Sequence, residues 1–84
     1  MKSNELKKGD WVMLKGTGWK AEIADNKRGN IRMATVHGFF TEMGSIYVHD
    51  IAYAYEVGGK RGQWEIELTP AQAKLKKTVA AMGF

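Results

Sequence analysis

Glycine punctuates this chain. Nine of its ten glycines fall between Gly9 and Leu68, and the stretches between them are short. Most of these stretches alternate apolar and polar residues, the period of a strand with one buried face. Helices of ordinary length do not survive such spacing, because glycine weakens a helix interior and favours turns. Short strands joined by glycine turns favour a small barrel or sandwich.

The first hairpin reads most clearly. In "WVML" (11–14), Val12 and Leu14 point one way and Trp11 and Met13 the other. "KGTG" turns the chain at Gly16 and Gly18. Trp19 then opens a second strand, with Ala21 and Ile23 on its apolar side. "DNKRGN" (25–30) reads as the next turn and "IRMATV" (31–36) as a third strand. "HGFFTEMGS" (37–45) reads as a longer loop, followed by a short strand "IYVHDI" and then "AYAYEV" (52–57). "GGKRGQ" (58–63) reads as a turn. "WEIEL" (64–68) reads as the last strand, with Trp64, Ile66 and Leu68 inward and Glu65 and Glu67 outward. Val12, Leu14, Ile23, Ile66 and Leu68 are the expected deep core.

After Leu68 the period changes. In "TPAQAKLKKTVAAMGF", Thr69 is the expected N-cap, Pro70 the first helical residue and Gln72 the reciprocal partner of the cap. The spacing predicts a helix over about 70–82. Leu75, Val79 and Met82 would form its buried stripe, with Ala71 above them. The expectation is one all-β domain over 1–84. Residues 1–8 would be a flexible arm or lead-in, 9–68 the barrel and 69–84 a capping helix.

"KKGDWVMLKGTGWKAEIADN" (7–26) resembles the KOW type of SH3-like barrel, found in ribosomal proteins and transcription elongation factors. A Gly-Asp pair precedes a strand, then comes a glycine turn, then a strand with small and aliphatic residues inward. "GSIYVHDI" resembles the strand that ends many such barrels in a short helical turn. The resemblance implies an SH3-like barrel of five to six strands. It also implies that Lys15, Thr17 and Lys20 lie near a loop that contacts RNA or protein. The whole chain looks like the small single-domain proteins of bacteriophages.

The residues offer little to an enzyme. His49-Asp50 is the pair used by metal-dependent phosphohydrolases, but those carry further histidines on a large helical domain. Here only His37 and His49 exist, with no cysteine, whereas a metal site wants three or four ligands at defined spacing. The bland reading makes His49 a surface strand residue and Asp50 a turn cap. "GGKRGQ" lacks the spacing of a phosphate loop. No metal or other cofactor is expected.

Charge and aromatics point instead to binding. Thirteen basic residues against nine acidic give a net charge of +4, which permits attraction to a polyanion. The basic residues gather in the expected turns: Lys15 and Lys20, Lys27 and Arg28, Lys60 and Arg61, with Arg32 on the strand after the second turn. Trp11, Trp19, Phe39, Phe40 and Tyr47 are candidates for stacking on bases. The expectation is a non-enzymatic module that contacts RNA or DNA, or a nucleoprotein machine. The alternative is a protein-binding or phage-assembly module using an aromatic groove or edge strand. Tyr53 and Tyr55 could sit at such a surface, or fill the core with their hydroxyls at its rim. No apolar run reaches the roughly 20 residues of a membrane span, and "MKSNELKKGD" lacks the apolar segment of a signal peptide. The expected setting is a cytoplasm, the host's if the chain is phage-encoded.

Overall fold

The computed structural model describes residues 1–24 and 29–81, with side chains through residue 78. Six antiparallel strands make one sheet: β1 (Trp11–Leu14), β2 (Lys20–Ile23), β3 (Ile31–His37), β4 (Thr41–Tyr47), β5 (Ile51–Val57) and β6 (Lys60–Trp64). Their order is β4-β3-β2-β1-β5-β6. The first four form a meander. A 3-10 turn, Val48–Asp50, then carries the chain back so that β5 lies beside β1. Helix α1 (Pro70–Ala81) follows. The architecture is all-β with one C-terminal helix, compatible with the small barrel-like fold expected. The sheet is open, with β4 and β6 as its edges.

Strand parity explains the core. Val12 pairs with Ala21, Ala21 with Val36, and Ile23 with Ala34, so these residues share one face. Val12, Ala21, Ile23 and Ala34 are fully buried. Ile46, Val48, Ile51, Ala54 and Leu6 complete the same cluster. Residues from β1 to β5 meet there, so the sheet coils around its apolar face. Leu14, Ile66 and Leu68 were expected deep in the core but are only half-buried and pack around it.

Two strands differ from the sequence expectation. Residues 41–45 belong to β4, so the expected long loop is a hairpin whose turn is only residues 38–40. The last strand is Lys60–Trp64, not "WEIEL". Beyond Trp64, among the described residues, only one bridge forms, between Glu67 and Lys2. The glutamates do point outward, and Trp64, Ile66 and Leu68 lean on the core. Alternation reported burial there without a ladder.

Residues 1–8 are part of the fold. They form a 3-10 turn, Ser3–Glu5, with Ser3 and Leu6 fully buried. The Ser3 amide donates to the Glu67 carbonyl (3.0 Å), and the Glu67 amide donates to the Met1 carbonyl (2.8 Å). Asp10, of the Gly-Asp pair, is buried as well. Its carboxylate accepts from the amides of Lys7 (2.9 Å) and Gly58 (3.1 Å). It therefore ties the entry to β1 to the β5–β6 turn.

The helix cap forms as its spacing predicts. The Thr69 amide donates to Gln72 Oε1 (2.9 Å), and the Gln72 amide donates to Thr69 Oγ1 (3.2 Å). The docking differs from the expected apolar stripe. Leu75 is half-buried, Ala71 is exposed, and Gln72 is the one buried side chain among the described residues of α1. Val79 as a side chain, and Met82, lie outside the described residues. Gln72 anchors the helix through polar contacts: Ser3 Oγ donates to its Oε1 (2.7 Å), and its Nε2 donates to the Gly29 carbonyl.

Candidate nucleic-acid interface

The outer face of the sheet is built by the opposite parity. Trp11 pairs with Glu22, and Met13 with Lys20. Lys20 pairs in turn with His37. Side chains of one parity from neighbouring strands stand side by side, so Trp11, Lys20 and His37 lie on one surface. The fourth contributor depends on an irregularity. Trp11 pairs with Glu56 but Val12 pairs with Ala54, so Tyr55 is an extra residue in β5. A bulge of this kind re-aims side chains. Tyr55 and Glu56 consequently line the same cleft although they are consecutive, which regular alternation forbids.

That cleft has a volume of about 470 Å³ and is lined by Trp11, Lys20, His37, Tyr55, Glu56 and Arg61. The Trp11 ring lies 5.1 Å from His37, tilted 32°, and 6.3 Å from Tyr55, tilted 44°. Lys20 Nζ sits 5.6 Å from the centre of the Tyr55 ring, within range of a cation–π contact. Arg61 Nε is 3.9 Å from Glu56 Oε1, and Arg61 is 88 % exposed. A pair so open to water holds its partners weakly, which leaves the guanidinium free to turn to another anion. Burial raises the Tyr55 hydroxyl above its ordinary pKa, and the Glu56 carboxylate adds to the effect. The phenol is therefore neutral at physiological pH.

Of the residues expected at a binding site, Trp11, Lys20 and Arg61 are brought together here. Arg61 stands on β6, and Lys60, also on β6, is exposed outside the cleft. Lys15 and Thr17 are exposed in the β1–β2 turn, where Thr17 Oγ1 accepts from the Trp19 amide (3.2 Å). Lys27 and Arg28 lie outside the described residues.

Arg32 is corrected outright. It is fully buried. Its Nη1 donates to the carbonyls of Gly29 (3.0 Å) and Ile31 (2.9 Å), and its Nη2 reaches the Ser3 carbonyl and Asn4 Oδ1. Its parity is that of Ala34, on the core side of β3. The guanidinium closes the end of the core by tying the Gly29 and Ile31 carbonyls to the Ser3–Asn4 backbone and side chain. It cannot contact a phosphate on the surface.

The remaining aromatics stand apart from the cleft. Trp19 and Phe39 meet edge to face at 5.7 Å, and with Val36, Phe40 and Glu42 they line a separate hollow. Val36 and Glu42 are a facing pair of core parity, so this hollow opens on the other side of the sheet. Tyr47 stacks on His49 at 4.9 Å. His49, expected on the surface, is buried in the 3-10 turn.

His37 and Glu56 were not foreseen at the site, and Tyr55 was expected at a protein-binding surface or in the core. His37 carried a usable signal, since extending the Met33–Thr35 alternation by one step reaches it. The bulge that aims Tyr55 and Glu56 has no local signature. Among the described residues no group of three metal-ligating side chains forms, and no helix is long and apolar enough to cross a membrane. No protein family, curated protein or solved structure matches the chain.

Proposed function

We propose that the chain is a non-enzymatic binding module whose outer-face cleft takes single-stranded nucleic acid. The convergence of three rings and two cations at Trp11, His37, Tyr55, Lys20 and Arg61 carries this reading. Aromatic faces accept any base, each stack contributing about 1–3 kcal/mol. Lys20 and Arg61 flank the rings where a phosphate chain would pass, and Glu56 gives up Arg61 when a phosphate competes for it. The net charge of +4 favours approach of a polyanion. Phosphate contacts carry no base information, so the affinity is expected to be general rather than sequence-specific.

The test is a fluorescence anisotropy titration with short single-stranded and duplex oligonucleotides at low and moderate salt. Binding should favour single strands and weaken as salt rises, because each neutralised phosphate releases counterions. Affinity no tighter than about 10⁻⁴ M at low salt, the weak edge of ordinary non-specific binding, would remove the reading. Salt-insensitive binding would remove the phosphate mechanism.

A further inference from the structure

The two edges of the sheet are built differently. β6 is short, begins Lys60-Arg61, and pairs with β5 through a register shift. Charges, shortness and irregularity are the usual means by which an edge is kept from pairing with another chain. β4 is neither short nor irregular and carries a single charge, Glu42. Its seven residues, "TEMGSIY", hold no lysine, arginine or proline, and its register with β3 runs unbroken from Ile31↔Tyr47 to His37↔Thr41. The exposed large hydrophobic residues found among the described residues are Ile31, Phe39, Phe40, Met43 and Tyr47. All five belong to the β3–β4 hairpin or its turn. Phe39 is 89 % and Phe40 77 % exposed. Apolar surface gathered on one element in this way marks an interaction site.

We propose that β4 pairs antiparallel with β4 of a second copy, about a two-fold axis at Gly44. The strand is complementary to itself in that register. Met43 faces the second copy's Ser45, Thr41 faces its Tyr47, and the one charged residue, Glu42, faces its Ile46. No like charges oppose each other, and the residue on the axis has no side chain to clash. The antiparallel arrangement also carries the Phe39-Phe40 turn past the end of the second copy's strand. There Ile31, Ser45, Ile46 and Tyr47 line a hollow of about 150 Å³, the size of cavity that accepts a benzene ring. A projecting ring and a hollow that exchange across a two-fold axis are what an isologous interface requires. The pairing leaves the Trp11 cleft open, so it stands or falls separately from the nucleic-acid reading.

Sedimentation equilibrium of the whole chain, from about 1 μM to about 1 mM, spans weak to moderate association. The mass should climb from the 9.4 kDa of one chain to twice that value. Met43→Lys places a charge on each side of the axis and should weaken the dimer at least tenfold, with unchanged circular dichroism and melting. The register has its own test, helped by the absence of native cysteine. A Cβ at Gly44 would meet nothing within 4 Å, so Gly44→Cys should fold. Its two copies would face each other at a Cα separation of about 4.5–5.5 Å, within disulfide range. Two Thr41→Cys residues would lie roughly 20 Å apart in that register. Mild oxidation should therefore cross-link Gly44→Cys dimers and leave Thr41→Cys as single chains. A wild-type mass that stays monomeric throughout would overturn the proposal. So would a dimer indifferent to Met43→Lys, or Thr41→Cys cross-linking as readily as Gly44→Cys.

Discussion

Trp11 and His37 lie on strands that are not paired, β1 and β3, yet their rings meet at 5.1 Å across β2. The contact spans the width of a strand and defines one wall of the cleft. If bases stack there, Trp11→Ala and Tyr55→Ala should each weaken single-strand binding by about 1–3 kcal/mol, the usual value of one base–ring stack. Trp19→Ala should leave affinity unchanged, since Trp19 serves the hollow on the other side of the sheet. Anisotropy titrations of the three variants, with melting curves alongside, check this. Equal losses at Trp11 and Trp19 would place the ligand elsewhere.

Arg32 is the residue whose loss the fold should feel. Arg32→Gln removes a fully buried guanidinium and its bonds to the carbonyls of Gly29 and Ile31. Losing hydrogen bonds to a charged group at a buried site costs about 1–3 kcal/mol. Lys20→Gln, at an exposed position, should stay within about 0.5 kcal/mol of wild type. Urea denaturation of the two variants gives the comparison. Equal midpoints would mean that the guanidinium stabilises nothing.

A similar asymmetry separates the glycines. A Cβ on Gly38 would lie 2.6 Å from Cε3 of Trp19, well inside contact distance, whereas one on Gly44 meets nothing. Gly38→Ala should push the indole off the hairpin and break its edge contact with Phe39. Overpacking of this kind costs about 1–3 kcal/mol. The expected readout is a red-shifted tryptophan emission and a lower melting temperature. Gly44→Ala should show neither.

Tyr55 supplies a pH prediction. Burial first, then Glu56, holds its hydroxyl above the ordinary tyrosine range. The folded chain therefore keeps this proton at pH values where the unfolded chain has begun to lose it. That contribution to stability is complete below about pH 10, the unfolded value, and is lost as pH rises through the folded one. Phenolate absorbance should show one tyrosine titrating late, and Tyr55→Phe should abolish that step. A late step that persists in the variant belongs to another tyrosine.

What could be read in advance was local. Thr69, Pro70 and Gln72 announce the helix because a cap is made within four residues. Gly16 and Gly18 announce a turn because both take positive φ, 76° and 68°. Ala21 and Ile23 announce the core by simple alternation. The failures were non-local. "TEMGSIY" has too little alternation to look like a strand and is held as one by β3. "WEIEL" alternates perfectly but faces the core without a ladder. Arg32 looked like surface because arginine is seldom buried, although Ala34, two residues on, already marked its side of β3 as the inner one. The placement of Tyr55 and Glu56 was hidden for a like reason, since the bulge at Tyr55 exists only when β5 is laid against β1.

The bond from Ser3 to Gln72 spans 69 positions along the chain, and Gln72 shares the Gly29 carbonyl with Arg32. Contacts of such separation form only after a long loop has closed, and they slow folding. The hairpins β1–β2 and β3–β4 need no such closure and can assemble early. Until Gln72 arrives, Gly29 and Ser3 have lost one of their partners, so the coiled sheet is unfinished at that end. The helix thus acts as a clasp whose fastening comes late, and native-state hydrogen exchange should find the Ser3–Leu6 segment and the first turn of α1 opening together.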